Sequence, residues 1–409
     1  MKIALISFVT PASENIRGTS ALPYHLLKER EENVDVKIYS FNCNGLLNEK
    51  IQEVEKELGT TIKVIPLPKW YIWMFKFHLL FLRIFLKYPF ANYIKLPQYL
   101  VDEIKAQKPD LIWVMGEELS RVVKQFPEHR RIQLGPDTES LYYYRMMGRR
   151  FVMKNSMEYW KCALMYRKYA RMERAFCTDE AFTFYAVGEE DIRHLQQLNP
   201  KVNAKFLRHP HYEVRQHFVN DNDNLNANFS KPKIKLLIAG RCDLYMKQEA
   251  DLLVEQINDN VNDNDNYLKE QYSITFLGKG WEKHVEALRD AGWEVEHIKF
   301  APDYIEEICK HDIQITPIAI GTGTKGKVLD ALANGLLVIG TPYAMENIAV
   351  EHGVSCIEYR EPQEVLDVLC DIIENREKYE AMAMAGREAV LKHHDRRLLA
   401  KELFGICNG

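Results

Sequence analysis

The stretch GTGTKGKVLDALANG, Gly321 to Gly335, carries three glycines and two lysines in its first seven residues, then turns apolar at positions 328, 329, 331 and 332. Glycines let a backbone approach a ligand closely, and the free N–H groups and dipole of a helix N-terminus favour anions. Lys325 and Lys327 add full positive charge. The chemistry these residues suit is the holding of a diphosphate by Gly321, Thr322, Gly323, Thr324, Lys325 and Lys327. The pattern is not a P-loop, because Lys327 is followed by valine, and it is not GxGxxG on a first strand. A tight strand-to-helix connection would use the same glycines, so the loop alone leaves both readings open.

To face a ligand the loop needs a strand before it and a helix after it. DIQITPIAI, 312 to 320, predicts the strand, and a short helix is expected from about Lys327 to Asn334, stopped by Gly335 at its C-terminal cap. The helix N-terminus then looks out from the carboxyl ends of the strands, where open α/β sheets bind ligands.

Strand-like runs recur along the whole chain, at 2 to 8, 34 to 41, 61 to 67, 111 to 116, 131 to 135 and 182 to 188, with helical patterns between them at 19 to 30, 92 to 107 and 154 to 176. An Asn/Asp-rich run from Val219 ends at a proline and cannot build a core, which predicts a domain boundary. The rhythm restarts at 234 to 240, 272 to 278, 293 to 300, 312 to 320 and 336 to 340 and is helical after Pro362. This predicts an α/β protein with two doubly wound parallel-sheet domains. The bounds expected are 1–210 and 211–391, with a C-terminal helix, about 392–409, packing on the first domain.

Composition narrows the partners. The chain has 409 residues, 46% apolar and 27% charged, with a net charge of -4, so nothing global favours nucleic acid. The eight cysteines show no CxxC pair and no zinc spacing. MKIALISFVT reads as a first strand with no cleavage site, so a cytoplasmic protein is expected. The most hydrophobic segment, Lys69 to Phe90, is interrupted by Lys76, His78, Arg83 and Lys87 and cannot span a bilayer. It reads either as an interfacial helix on an anionic membrane or as a helix packed in a domain. Asp263-Asn264-Asp265 and Asp221-Asn222-Asp223 match a DxD metal pattern, but both lie in low-complexity runs, so no metal is expected.

The segment HDIQITPIAIGTGTKGKVLDALANGLLVIGTPYAMENI resembles the signature of bacterial GT-B fold glycosyltransferases related to glycosyltransferase family 4. IAGRCDLYMK is similar to the vGRxxxxK pattern of their donor domain, and YAVGEEDIRHLQQL and GPDTESLYYYRMM are similar to stretches of their acceptor domain. The resemblance implies two Rossmann-like domains facing a cleft and transfer of a sugar from a nucleoside diphosphate to an acceptor hydroxyl, without metal or cofactor and with retained anomeric configuration. A glycan acceptor of cell-surface polysaccharide or glycan synthesis is expected, and the aromatic-basic segment 69–90 adds the expectation that the acceptor is lipid-linked or membrane-presented.

On that resemblance Arg241, Lys247 and Lys327 would neutralise the leaving phosphate, and Gly240 would line it. Of two glutamates usual in that family, Asp330 stands in the slot of the second, which holds the ribose, and Thr322 in the slot of the first, which lies near the donor sugar. On the acceptor side the candidates are Arg17 and Gly18 in the loop after the first strand, His25 on the first helix, and Asp137 beyond a strand end. Sugar-nucleotide epimerisation, or a binding partner without turnover, remain as alternatives.

Overall fold

The computed structural model describes residues 1–13, 18–148, 152–215, 227, 229–259 and 264–405. The chain divides into two compact units: Met1–Pro210 joined by the C-terminal helix Arg396–Gly405, and His211–Asp395.

Among the described residues the first unit holds a seven-stranded sheet of β1 (Lys2–Ser7), β2 (Asp35–Ser40), β3 (Thr61–Val64), β4 (Leu111–Met115), β5 (Arg131–Gly135), β6 (Phe182–Ala186) and β7 (Ala204–Phe206). All pairings are parallel, in the order β3-β2-β1-β4-β5-β6-β7. Strand side chains alternate between faces, and here both faces are apolar. Ile3 and Leu5 join a core with Leu22 and Leu26, whereas Ala4 and Ile6 join another with Leu100 and Phe126. Helix Arg396–Gly405 belongs to the first of these cores through Leu399, Leu403 and Phe404, and the Phe404 ring meets Trp113 edge-on at 5.8 Å.

The second unit has β8 (Ile234–Ala239), β9 (Tyr272–Leu277), β10 (Val295–Ile298), β11 (Ile313–Thr316), β12 (Leu337–Gly340) and β13 (Ile357–Glu358). Their order, β10-β9-β8-β11-β12-β13, again reverses direction between the first and fourth strands of the unit. Such a reversal opens a crevice beyond the carboxyl ends of the two central strands.

The differences from the sequence reading are local. β11 stops at Thr316 rather than 320, because Pro317 has no N–H to continue the ladder. β7 and β13 are too short to give a periodic signal. The aromatic segment is a helix at Lys69–Lys76 and a 3₁₀ turn at Leu79–Phe85, broken at His78 with φ 54, and neither piece has a buried residue. The helix nonetheless lies against the domain, where Tyr71 packs on the core beside Phe90, while most of its other aromatic side chains are exposed. Asp221-Asn222-Asp223 and Asp263 lie outside the described residues.

Candidate active site

Two loops meet at the strand reversal of the second unit. Ile313 lies opposite Leu236 and Gln314 opposite Leu237, so Thr316 and Ala239, the last residues of β11 and β8, come level. Beyond them the loops are tied by a bond from the Ala319 N–H to the Tyr245 carbonyl, 2.7 Å. The sequence motifs around Arg241 and around Gly321 are thus brought to one edge by topology.

The glycines serve close approach. Gly240 has φ +118, and a Cβ there would stand 2.6 Å from Lys327 Nζ; a Cβ on Gly278, behind it, would fall 2.3 Å from the Gly240 carbonyl oxygen. Gly323 takes φ +59, and the Asn347 amide donates to its carbonyl at 2.9 Å. The helix that follows runs Gly326–Ala333 with cap residue Asn334, and Gly335 leaves it at φ +81, as a C-terminal glycine does. The first-turn N–H groups of that helix have no carbonyl within it to bond.

The five candidate charges fall into different places. Lys327 is partly buried and points at the reversal, donating to the Ala239 carbonyl at 3.4 Å with Met246 Sδ 2.7 Å away. Burial pulls its ammonium down to about 8; Asp243 opposes that shift and Lys325 adds to it. Arg241 is exposed at the start of the β8 loop and has no ion-pair partner among the described residues. Lys325 instead folds back on its own loop, donating to the Thr322 carbonyl at 2.6 Å and the Gly323 carbonyl at 3.2 Å. It closes the loop. Lys247 pairs with Asp251 one turn along its helix, 2.5 Å, and is exposed. Five residues separate Arg241 from Lys247 where the resembled pattern has four. The inward position goes to Met246, 1% exposed, and Lys247 is carried to the outer face.

Asp330 is 2% exposed, not a surface residue of the first turn. One carboxylate oxygen accepts the Tyr212 backbone N–H, and Oδ1 has no hydrogen-bond partner. Burial pushes the carboxyl up to about 7, with the Tyr212 bond working against the shift. The segment bearing Tyr212 is held down by Asn334, whose amide donates to the Glu213 carbonyl at 3.0 Å and accepts the Arg215 N–H at 3.0 Å. Tyr212, Asn334 and Met246 shape this edge, and only the strand order reveals them. Thr322, in the slot of the other glutamate, is 8% exposed.

In the first unit the candidates separate. Arg17 lies outside the described residues, and Gly18 opens helix Gly18–Lys28. His25 is buried on that helix, its Nδ1 facing Arg396 Nη1 at 3.3 Å, so it ties the helix to the C-terminal one. Asp137 follows β5 at the carboxyl edge. Around it stand acids that the sequence reading missed. Glu117, 3% exposed, accepts the Glu139 N–H at 3.2 Å, and its Oε2 has no partner. Burial, then repulsion from Asp137, pushes Glu139 up to about 8, and burial raises Glu173 to about 7. These acids come from three separate segments, and only Asp137 and Glu139 are near one another in sequence. Among the described residues no group of three or more His, Cys, Asp or Glu could hold a metal ion, and no helix is long and apolar enough to cross a membrane.

Residues 233–375 match the family described as Glycosyl transferases group 1. The match runs from β8 through the glycine loop and bears out the resemblance drawn from those motifs. No curated protein sequence matches the chain. Among solved structures it is similar to HepE of Anabaena in complex with UDP, with a TM-score of 0.66, 12% identity and 100% of both chains covered. A glycosyltransferase from Rickettsia africae aligns with a TM-score of 0.63 at 12% identity over 100% of this chain and 98% of that one. Sucrose-phosphate synthase from Thermosynechococcus elongatus does so with the same score, identity and coverage. At such identities the likeness is one of fold, and the fold is the GT-B pair of Rossmann-like domains.

Proposed function

We propose that this protein transfers a sugar from a nucleoside diphosphate sugar to an acceptor hydroxyl. One observation carries the reading: Lys327, partly desolvated and without a carboxylate partner among the described residues, stands at the strand reversal beside a glycine-rich loop. As the bond from the sugar to the β-phosphate breaks, negative charge grows on that phosphate. Lys327, Arg241 and the N–H groups of helix Gly326–Ala333 meet it, and they are in place before the reaction begins. Lys325 contributes by holding the loop closed. The unpartnered oxygen of Asp330 accepts a ribose hydroxyl. Retention of configuration and a role in cell-surface polysaccharide synthesis are the outcome and setting proposed, by analogy with the resembled family.

The acceptor proposed is a glycan or lipid-linked sugar, met by the first unit through Asp137 and the neighbouring acids. The exposed aromatic segment 69–90 supports a peripheral contact with the cytoplasmic face of a membrane.

Incubation with a panel of nucleotide sugars, following free nucleoside diphosphate with and without acceptor, tests the reading. UDP sugars come first, since HepE was solved with UDP and with UDP-glucose. Acceptor-dependent release supports transfer. Interconversion without release would indicate an epimerase, and binding alone a partner without turnover, the reading that Thr322 in the glutamate slot favours.

A further inference from the structure

The first unit contains a cavity of about 290 Å³ lined by Tyr88, Asn92, Lys95, Ser120, Arg121 and Lys124 among others, and no carboxylate lines it. Among the described residues none of the three cations is in an ion pair. The Arg121 guanidinium stands over two rings, 4.4 Å from the centre of Tyr93 and 5.3 Å from that of Tyr88. Lys95 and Lys124 are exposed and Arg121 is half-buried, so three like charges repel each other around one small hollow, and an anion among them would offset that repulsion. The hollow is too small for a nucleotide sugar and of a size for a phosphate bearing a small alcohol.

The cavity lies beside the aromatic segment. Lys168, on helix Met157–Glu173, donates to the carbonyls of Arg83 and Ile84, and Arg171 donates to that of Lys87. Met172, next to Arg171, and Ala175, just past the end of the helix, line the cavity, as does Tyr88, next to Lys87, so the two features adjoin. The segment's backbone is thus fastened to the domain while its side chains are not covered: Trp73 is 56% exposed, Phe77 58%, Phe81 67% and Phe85 82%. Tyr71 anchors the inner side by stacking on Phe90 at 4.7 Å. Exposed aromatic side chains on a fastened backbone, interspersed with Lys76, Arg83 and Lys87, suit the headgroup layer of an anionic bilayer.

We infer that this cavity is a phosphate site for the headgroup of a membrane lipid, filled when the aromatic segment lies in the bilayer surface. The inference rests on the membrane contact proposed above and gives that contact a specific partner: a lipid phosphate esterified to a small alcohol, taken by Lys95, Arg121 and Lys124.

The test is co-sedimentation of the full chain with vesicles of phosphatidylcholine, alone or with a quarter phosphatidylglycerol. The Lys95→Gln/Lys124→Gln pair is compared with a charge-matched pair, Lys201→Gln/Lys205→Gln, at exposed positions away from the cavity. The cavity pair should bind phosphatidylglycerol vesicles at least tenfold more weakly than the wild type, the control pair less than threefold. Glycerol 3-phosphate should displace the wild type more than sodium chloride of equal ionic strength does. Lys124 also donates to the Ala175 carbonyl, so Lys95→Gln alone, at an exposed residue, keeps the test valid if the double variant melts early. Equal losses in both pairs, with no displacement by glycerol 3-phosphate, overturn the cavity site and leave the membrane contact standing. Wild-type protein that sediments with neither vesicle overturns both. Glycerol 3-phosphate bound at the cavity with no effect on vesicle binding overturns the lipid source.

Discussion

Lys327 donates to the carbonyl oxygen of Ala239, 88 residues earlier in the chain, and so joins the end of β8 to the helix that follows β11. The ammonium is held where the sheet reverses and where a bound diphosphate would displace that weak 3.4 Å contact.

Lys327→Ala and Arg241→Ala should each lower kcat by roughly ten- to a hundredfold, the equivalent of a charge-assisted hydrogen bond of about 1.5 to 3 kcal/mol. The loss belongs in kcat because the phosphate charge is greatest as the bond breaks. The double variant should lose less than the product of the two, since both cations serve one phosphate. Steady-state kinetics on the three proteins decides this; normal turnover in both single variants would reduce the loop to a structural turn.

The same lysine sets a pH dependence. Its ammonium is lowered to about 8 by burial, so UDP affinity measured by calorimetry should fall as pH rises above about 8, and Lys327→Arg should flatten that fall. Stability runs the other way. The unfolded chain holds this proton up to about 10.5, so the cost of the buried ammonium is full below pH 8 and is relieved between 8 and 10.5.

Asp330→Asn should weaken UDP binding by about tenfold and raise donor KM with kcat little changed, because ribose contacts are alike before and during bond breaking. It should also stabilise the ligand-free protein at pH 8. The carboxyl sits at about 7 folded against 3.8 unfolded, so its contribution is favourable at low pH and is lost as pH rises through about 7. A thermal melt at pH 8 in which the variant unfolds well below the wild type would count against a carboxylate held for a ligand.

Lys325→Met should raise donor KM by a few-fold and leave kcat within about twofold, because Lys325 bonds the carbonyls of Thr322 and Gly323 and orders the loop rather than meeting the phosphate. A kcat loss as large as that of Lys327→Ala would show that Lys325 turns to the phosphate when donor binds.

Donor turnover should survive excess EDTA, and shortening 259–265 should leave it nearly intact. On the function proposed above, Arg241, Lys327 and helix N–H groups meet the charge that a metal would neutralise. Strict dependence on Mn²⁺ or Mg²⁺ would restore the DxD reading of Asp263-Asn264-Asp265.

The repeated alternation of apolar runs was enough to read two doubly wound sheets, because a strand buried on both faces is written as a continuous apolar stretch such as LIWVM, and a helix as a longer periodic one. Gly321, Gly323 and Lys327 mark a candidate ligand loop in the sequence for the same local reason: their types act through backbone freedom and charge within a few residues of one another. What the sequence left undecided depends on register and strand order. Lys325 and Lys327 are two residues apart and look alike in sequence, yet one folds onto its own loop and the other reaches β8. Lys247 matches a motif in type, but its helical turn carries it outward to Asp251. Asp330 could be read as a surface residue or a ligand until Tyr212, 118 positions away, covered it. Glu117, Asp137, Glu139 and Glu173 gather only where β4, β5 and a long helix converge. Composition and periodicity act over single elements and determined the fold class; burial and pairing of charges are decided between elements, so only the tertiary structure could assign them.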